Sequence, residues 1–323
     1  MAVTGNAVEI VISSLIDGHL FQRWKDNNPA GHMRTHINLV GNYGAGAWLI
    51  SPPGFRGKRV DPGLYKIMLK RRLRSQLFDE QFCCPSCHLG MDQYGDHALT
   101  CSGGGHRSVR HNKLNKVLHG AAMEGNLRPA KEKGGLFYRR PLTGKPLGEN
   151  AGWFKELEAG EVDEGIGDQD AENFSKEEKL GEGDRRRPAD TYLPHGPGGK
   201  AAAVDWAVTS GLQSDTIVKG ETNAQYAMKW YESYKREYRP RDMVKSTATL
   251  CRENGLDFYP LVIEQHGGGW GGAMKEVIAF ISTGISDKWN TEIHVESKKF
   301  AQQISTTLHM ENARAIWGRY PGS

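Results

Sequence analysis

Two aspartates and a Cys/His cluster have the types and spacing to do chemistry in this chain. Asp190 and Asp205 flank Gly196-Pro197-Gly198-Gly199, which separates two stretches of strand-forming residues, 189–193 and 201–208. A Gly/Pro run in that setting reads as a hairpin connection. A turn centred between Pro197 and Gly198 sets Asp190 directly across from Asp205. Facing residues in an antiparallel pair hold their Cβ atoms about 5 Å apart, and like charges there are destabilising. Asp205 also stands in an apolar run, where an unpaired carboxylate is costly. A divalent cation between the two removes both penalties, because hard cations take carboxylate oxygens as ligands. The competing reading is another register, with each aspartate facing solvent.

A second set of residues points to zinc. Four of the five cysteines fall within 83–101, and Cys84-x2-Cys87-x9-His97-x3-Cys101 supplies four ligands at knuckle-like spacing. A dense Cys/His cluster in an intracellular chain binds metal more often than it forms disulfides. Four protein ligands leave no open position, so a structural zinc is expected. Cys83 is the spare thiol and competes with Cys84 in a shifted register, while His88, His106 and His111 are alternatives to His97. Cys251 is remote and is expected as a buried core thiol.

An α/β core must position these groups. In 224–238, Tyr226, Trp230, Tyr234 and Tyr238 recur every four residues, the period of a helix, and the stripe reads as packing. Lys229 and Lys235 lie off it, and either reaches a phosphate or a metal-held water. Residues 258–264 read as a third strand ending at Glu264, with Pro260 favouring an edge position or a bulge. Residues 108–124 read as a helix with Leu114, Val117, Leu118 and Ala121 on one face. Arg107, Arg110, His111 and Lys113 crowd its N-terminus, where the dipole favours anions; solvated charge and phosphate contact both stay open. Residues 273–282 are expected to cover the sheet, with Trp270 packed beneath the core rather than stacked on a base. Residues 297–317 read as an amphipathic helix capped by Ser297, with Phe300, Ile304 and Leu308 on one side.

Several blocks together resemble a known family. They are Gly44-Ala45-Gly46-Ala47-Trp48-Leu49, the stretch 92–101, Arg110-His111-Asn112, Arg187-Pro188-Ala189-Asp190, Asp205-Trp206-Ala207-Val208-Thr209-Ser210, and Pro260-Leu261-Val262-Ile263-Glu264 followed by Gly267-Gly268-Gly269-Trp270. In order and spacing, over roughly 40–285, they are similar to the C-terminal region of non-LTR retrotransposons that carry a restriction-like endonuclease. The resemblance implies a PD-(D/E)XK fold, an α/β restriction-endonuclease-like mixed sheet flanked by helices, with Asp190 and Asp205 as the two motif aspartates. Ala207 stands where the simplest motif has its lysine. In the retrotransposon branch the following helix supplies that lysine, which implies Lys235 first and Lys229 second. Glu132 matches the acidic residue that the fold often adds from its first helix.

The implied activity is Mg²⁺- or Mn²⁺-dependent hydrolysis of DNA phosphodiesters, nicking or cutting a target strand that primes reverse transcription. DNA is the expected partner, with RNA and a separately supplied reverse transcriptase beside it. No Tyr-x-Asp-Asp polymerase signature occurs; Tyr94-Gly95-Asp96-His97 is not one. The alternative is a catalytically inactive nucleic-acid-binding protein that uses the same fold and zinc module, and a purely structural assembly subunit is a third reading.

Composition bounds the rest. A chain of 323 residues with net charge +4 is mildly basic and long enough for one sizeable core plus a small module. The expected division is a helical N-terminal region over 1–80, a zinc module over 81–105, and an endonuclease domain over 106–323. Within 1–80, residues 7–20 and 61–77 are expected helices and 41–57 a loop. An acidic insertion of disordered composition spans about 146–184. Lys70-Arg71-Arg72-Leu73-Arg74 and Arg185-Arg186-Arg187 form basic clusters suited to phosphates, though such runs are usually solvated surface. Arg107, Arg110, Arg185, Arg186 and Arg187 are the candidate DNA contacts. No apolar run is long enough to span a bilayer, so an intracellular location is expected, nuclear in a eukaryote.

Overall fold

The computed structural model describes residues 17–51, 60–133, 136, 189–239 and 245–320. The expected acidic insertion, the Arg185–Arg187 cluster and residues 7–16 of the helix expected over 7–20 lie outside them, while 17–20 are helical. The chain is mixed α/β. Among the described residues its sheet has four strands, in the order β1 (Ala130–Lys131), β2 (Thr191–Leu193), β3 (Ala201–Thr209) and β4 (Leu256–Glu264). The β1–β2 and β2–β3 pairs are antiparallel and β3–β4 is parallel.

The β2–β3 hairpin has the register that the glycine turn predicts, with Thr191 opposite Val204 and Leu193 opposite Ala202. Gly199, at φ +77°, donates its N–H to Gly196 O (3.0 Å) and closes the turn. Extended by one pair, that register sets Asp190, just outside β2, against Asp205. Pro260 lies in β4, an edge strand as expected, where its missing N–H breaks no ladder.

Alternation along β3 and β4 separates two faces. Val204, Trp206, Leu261 and Ile263 face one side, packed by α4 (His106–Glu124), α8 (Gly272–Trp289) and α9 (Ile293–Trp317) through Leu114, Leu118, Val277, Ile281, Phe300, Ile304 and Leu308. Trp270 is buried in the same cluster. Ala207 and Val262 face the other side and hold Met228 of α6 (Tyr226–Glu237), which follows the short helix α5 (Ile217–Gly220). Ala203 and Phe258 share that side with Cys251 of α7 (Thr247–Glu253), which is a buried core thiol. The final helix begins four residues before Ser297, so Ser297 is an interior residue and not the cap.

A second core lies beside the first. Ile67 and Met68 of α2 (Pro62–Arg72), Leu77, Phe78, Cys84, Met91, Leu99, Cys101, and Ala313, Ala315 and Ile316 of α9 pack together. Asp61 caps α2 by accepting from Gly63 N (2.8 Å) and Leu64 N (3.2 Å). The helix stops at Arg72, short of the expected 77, and Arg74 turns the chain at φ +53°. Gly267 lets helix α1 (Gly31–Val40) approach the sheet, because a Cβ there would lie 2.2 Å from Leu39 O.

Candidate functional site

The Cys/His cluster forms as its spacing predicts. The ligand atoms of Cys84, Cys87, His97 and Cys101 all lie within 4.8 Å of one another. Cys84 Sγ and Cys101 Sγ are 3.9 Å apart, and Cys87 Sγ is 3.1 Å from His97 Nε2. Two thiolates on tetrahedral zinc, with bonds near 2.3 Å, stand about 3.8 Å apart, so the spacing suits the ion. The local chain builds this site from a tight turn: Cys84 N–H donates to Leu89 O and His88 N–H returns to Cys84 O, with His88 in the left-handed region. His97 sits in α3 (Asp96–Thr100), whose start is held by Asp92. That carboxylate accepts from Tyr94 N (2.9 Å), Asp96 N (3.0 Å) and His97 N (2.7 Å). Burial raises the Cys84 thiol pKa. Hydrogen bonds from the Ser86 and Cys87 backbone, Arg319 and His97 outweigh it and bring the value down to about 6, favouring the thiolate that zinc takes. Cys83 is exposed and outside the set. His88, His106 and His111 do not replace His97.

The two aspartates form a second site in which each carboxylate meets a cation from a different helix. Lys235 Nζ of α6 lies 3.0 Å from Asp205 Oδ2. His111 Nε2 of α4 lies 2.9 Å from Asp190 Oδ2, which also accepts the Trp206 backbone N–H at 2.6 Å. The packing explains the lysine. Asp205 and Ala207 share the sheet face that α6 covers, and the small Ala207 admits Met228. A lysine at 207 has no room there, whereas Lys235 projects from the covering helix onto Asp205.

Asn115 fixes the other half. Its Nδ2 donates to Asp190 O (3.0 Å) and its Oδ1 accepts from Thr191 Oγ1 (2.6 Å). Glu132 N–H also donates to Asp190 O (3.2 Å).

Electrostatics follow from this pairing. Burial pushes the Asp205 carboxyl up, Lys235 pulls it down and Asp190 pushes it up again, to about 6. At Asp190 burial also raises the pKa, but His111, the Trp206 N–H and Lys235 outweigh it and the value falls below the usual carboxylate range. Burial disfavours charge on His111, yet Asp190 overcomes it and raises the imidazole to about 9. Lys235 is shifted upward, its burial outweighed by Asp205. The cluster therefore holds two carboxylates of unequal basicity beside two cations.

The other expected site residues divide. Glu132 stays beside Asp190 through that backbone bond, but it lies just past β1 rather than on a helix, with φ +42°. Lys229 is exposed on α6, away from the Asp205 ion pair that Lys235 makes. Arg107 is exposed at the start of α4. Arg110 is buried, donating to Asn312 Oδ1 (2.8 Å) and Leu99 O (3.2 Å), so its guanidinium is spent inside the fold and does not face a phosphate.

The three arginines of the 70–74 run likewise turn inward. Arg74 makes a two-pronged bond to Asp96 (2.8 and 2.6 Å), Arg71 reaches Asp96 Oδ1 (2.6 Å) and His266, and Arg72 reaches Ala45 O and Val40 O. The aromatic stripe of α6 is not packing either. Trp230, Tyr234 and Tyr238 are exposed, and the helix buries Ala227 and Met228 instead.

The residues that sequence reasoning missed are His111 as the Asp190 partner and Asn115. The Arg110-His111-Asn112 block was the available signal, but nothing local connects it to a position eighty residues on. Among the described residues no helix is long and apolar enough to cross a membrane. Comparisons with protein-family models, curated proteins and solved structures found no match.

Proposed function

We propose that the chain is a metal-dependent endonuclease that hydrolyses DNA phosphodiesters through a restriction-like arrangement of Asp190, Asp205 and Lys235. One observation carries this reading: Lys235, on the helix that follows the hairpin, meets Asp205 at 3.0 Å while Asp190 stands across from it. The donor set suits Mg²⁺ or Mn²⁺, because two carboxylates on neighbouring strands offer hard oxygen ligands. The ion, when bound, lowers the pKa of a water and offsets charge on the scissile phosphate. The chain's own groups do the rest. Asp190, held by Asn115 and Trp206 N–H, presents its carboxylate at a set position. Lys235 exchanges Asp205 for the non-bridging phosphate oxygen or the attacking water, and His111 balances charge beside Asp190. An origin in a non-LTR retrotransposon, a nuclear location and a separately supplied reverse transcriptase follow from the same reading.

Plasmid nicking with Mg²⁺ tests it, comparing the parent with Asp190→Ala, Asp205→Ala and Lys235→Ala. Loss in all three is expected; equal nicking by all four removes the nuclease. The second reading, a nucleic-acid-binding platform without cleavage, is favoured by the internal pairing of both carboxylates with cations. It predicts salt-sensitive DNA binding with no metal-dependent product.

A further inference from the structure

The exposed aromatic face of α6 has no role in the metal-dependent chemistry. Trp230 and Tyr234 are 43% and 47% exposed, and their rings lie nearly parallel, 14° apart with centroids at 5.8 Å. Tyr238 continues the row at 5.9 Å from Tyr234. Tyr231 joins it from the inner side, 5.7 Å from Tyr234, and also packs against Met228. Successive rings advance by one helical step of four residues, roughly 6 Å along the axis. Contiguous exposed rings of this kind mark a binding surface.

The chemistry around the rings selects the occupant. Every large apolar side chain exposed on this helix and its end is aromatic, with no exposed Leu, Ile, Val or Met among them. An apolar protein partner would meet a row of rings with polar tips and charged neighbours. Over 226–239 the chain has four cations, Lys229, Lys235, Arg236 and Arg239, against two carboxylates, Glu232 and Glu237. Lys235 and Arg236 are turned inward, to Asp205 and to Phe258 O (3.1 Å), and Glu232 lies under the helix to accept from Ala273 N (3.2 Å), which leaves Lys229 and Arg239 against Glu237 on the outer face. Flat faces beside cations suit nucleobases on a phosphate backbone. A duplex keeps its bases stacked inside, so only unpaired bases can lie on these rings.

We infer that the Trp230–Tyr234–Tyr238 face is a stacking platform for unpaired bases of a single strand running to or from the Asp190–Asp205–Lys235 cluster. The inference rests on the nuclease reading for its direction, because Lys235 lies on the same helix one residue after Tyr234. The substrate class is then DNA with a single-stranded segment beside the scissile bond.

Fluorescence anisotropy with zinc-loaded protein and no Mg²⁺ tests this, using labelled oligothymidylate of roughly 20 nucleotides and a duplex of equal length. Trp230→Ala and Tyr234→Ala should each weaken single-strand binding by about tenfold, with duplex binding and melting temperature unchanged. Trp230→Phe should restore most of the loss. Unchanged single-strand affinity in both alanine variants overturns the platform. So does sedimentation that shows a parent dimer turned monomer by Trp230→Ala, which assigns the rings to a second copy. Failure of the nuclease reading is seen separately: nicking indifferent to Asp190→Ala and Asp205→Ala removes catalysis while leaving the anisotropy result standing.

Discussion

His111 and Asp190, seventy-nine positions apart, are joined by a 2.9 Å bond between Nε2 and Oδ2. The bond ties helix α4 to the start of the hairpin and sets a cation beside a carboxylate that is itself held by Trp206 N–H. Replacing His111 with alanine leaves Asp190 next to Asp205 with one cation fewer. We expect His111→Ala to lower unfolding free energy by about 1–2 kcal/mol, since both side chains keep some solvent. Urea denaturation at neutral pH measures it, and an unchanged midpoint contradicts the role.

Asn115 is the stronger structural anchor because it and Thr191 are buried. Asn115→Ala breaks the bonds to Asp190 O and Thr191 Oγ1 and leaves buried polar groups unpaired. The expected cost is about 2–3 kcal/mol. Asn115→Asp should be nearly as damaging, because a carboxylate cannot donate to the Asp190 carbonyl. Denaturant midpoints for the two variants, read against the parent, decide this.

Zinc should be present at one ion per chain and should matter to folding. Structural zinc contributes roughly 10 kcal/mol or more in small modules at neutral pH. A strong chelator, or Cys87→Ser, should therefore lower the melting temperature sharply, with metal content read by mass spectrometry. Asp190→Ala and Asp205→Ala should keep their zinc. Loss of zinc from those two variants would show the sites are not separate.

Acid should destabilise the protein through three buried imidazoles, His36, His266 and His309. Burial, aided by nearby arginines, holds His36 down to about 4 and His309 down to about 3. Each is neutral when folded and takes a proton in the unfolded chain below about 6.5. The unfolded state then binds more protons, so stability is complete above pH 6.5 and falls as pH drops toward 4 and then 3. His36 and His309 are each worth on the order of 3–5 kcal/mol at the acid end. Urea midpoints from pH 7 to 4 should decline in the parent and decline less in His36→Gln. A flat parent profile would contradict this account.

Local relationships were the most legible in the sequence. The glycine turn dictates the Asp190–Asp205 register because a slip by one residue would move Val204 and Trp206 off the core face. The Cys/His cluster is readable because its four residues lie on one short segment. The resemblance points to Lys235, and the structure pairs it with Asp205 on the face where Ala207 packs against α6.

Distant partnerships were hidden. Nothing near Arg71 and Arg74 announces that Asp96 will take both guanidinium groups, so the run read as surface. A four-residue aromatic period does not say which face of a helix the sheet will cover. Ala227 and Met228, one and two residues past Tyr226, are the ones it covers.

Helix α9 runs 25 residues, about 38 Å, and serves both cores. Phe300, Ile304 and Leu308 lie in the sheet core, and Ala313, Ala315 and Ile316 press on the cysteine turn. This single girder makes the Cys/His segment inseparable from the sheet. Calorimetry should record one endotherm, and limited proteolysis should release no surviving zinc-bearing fragment.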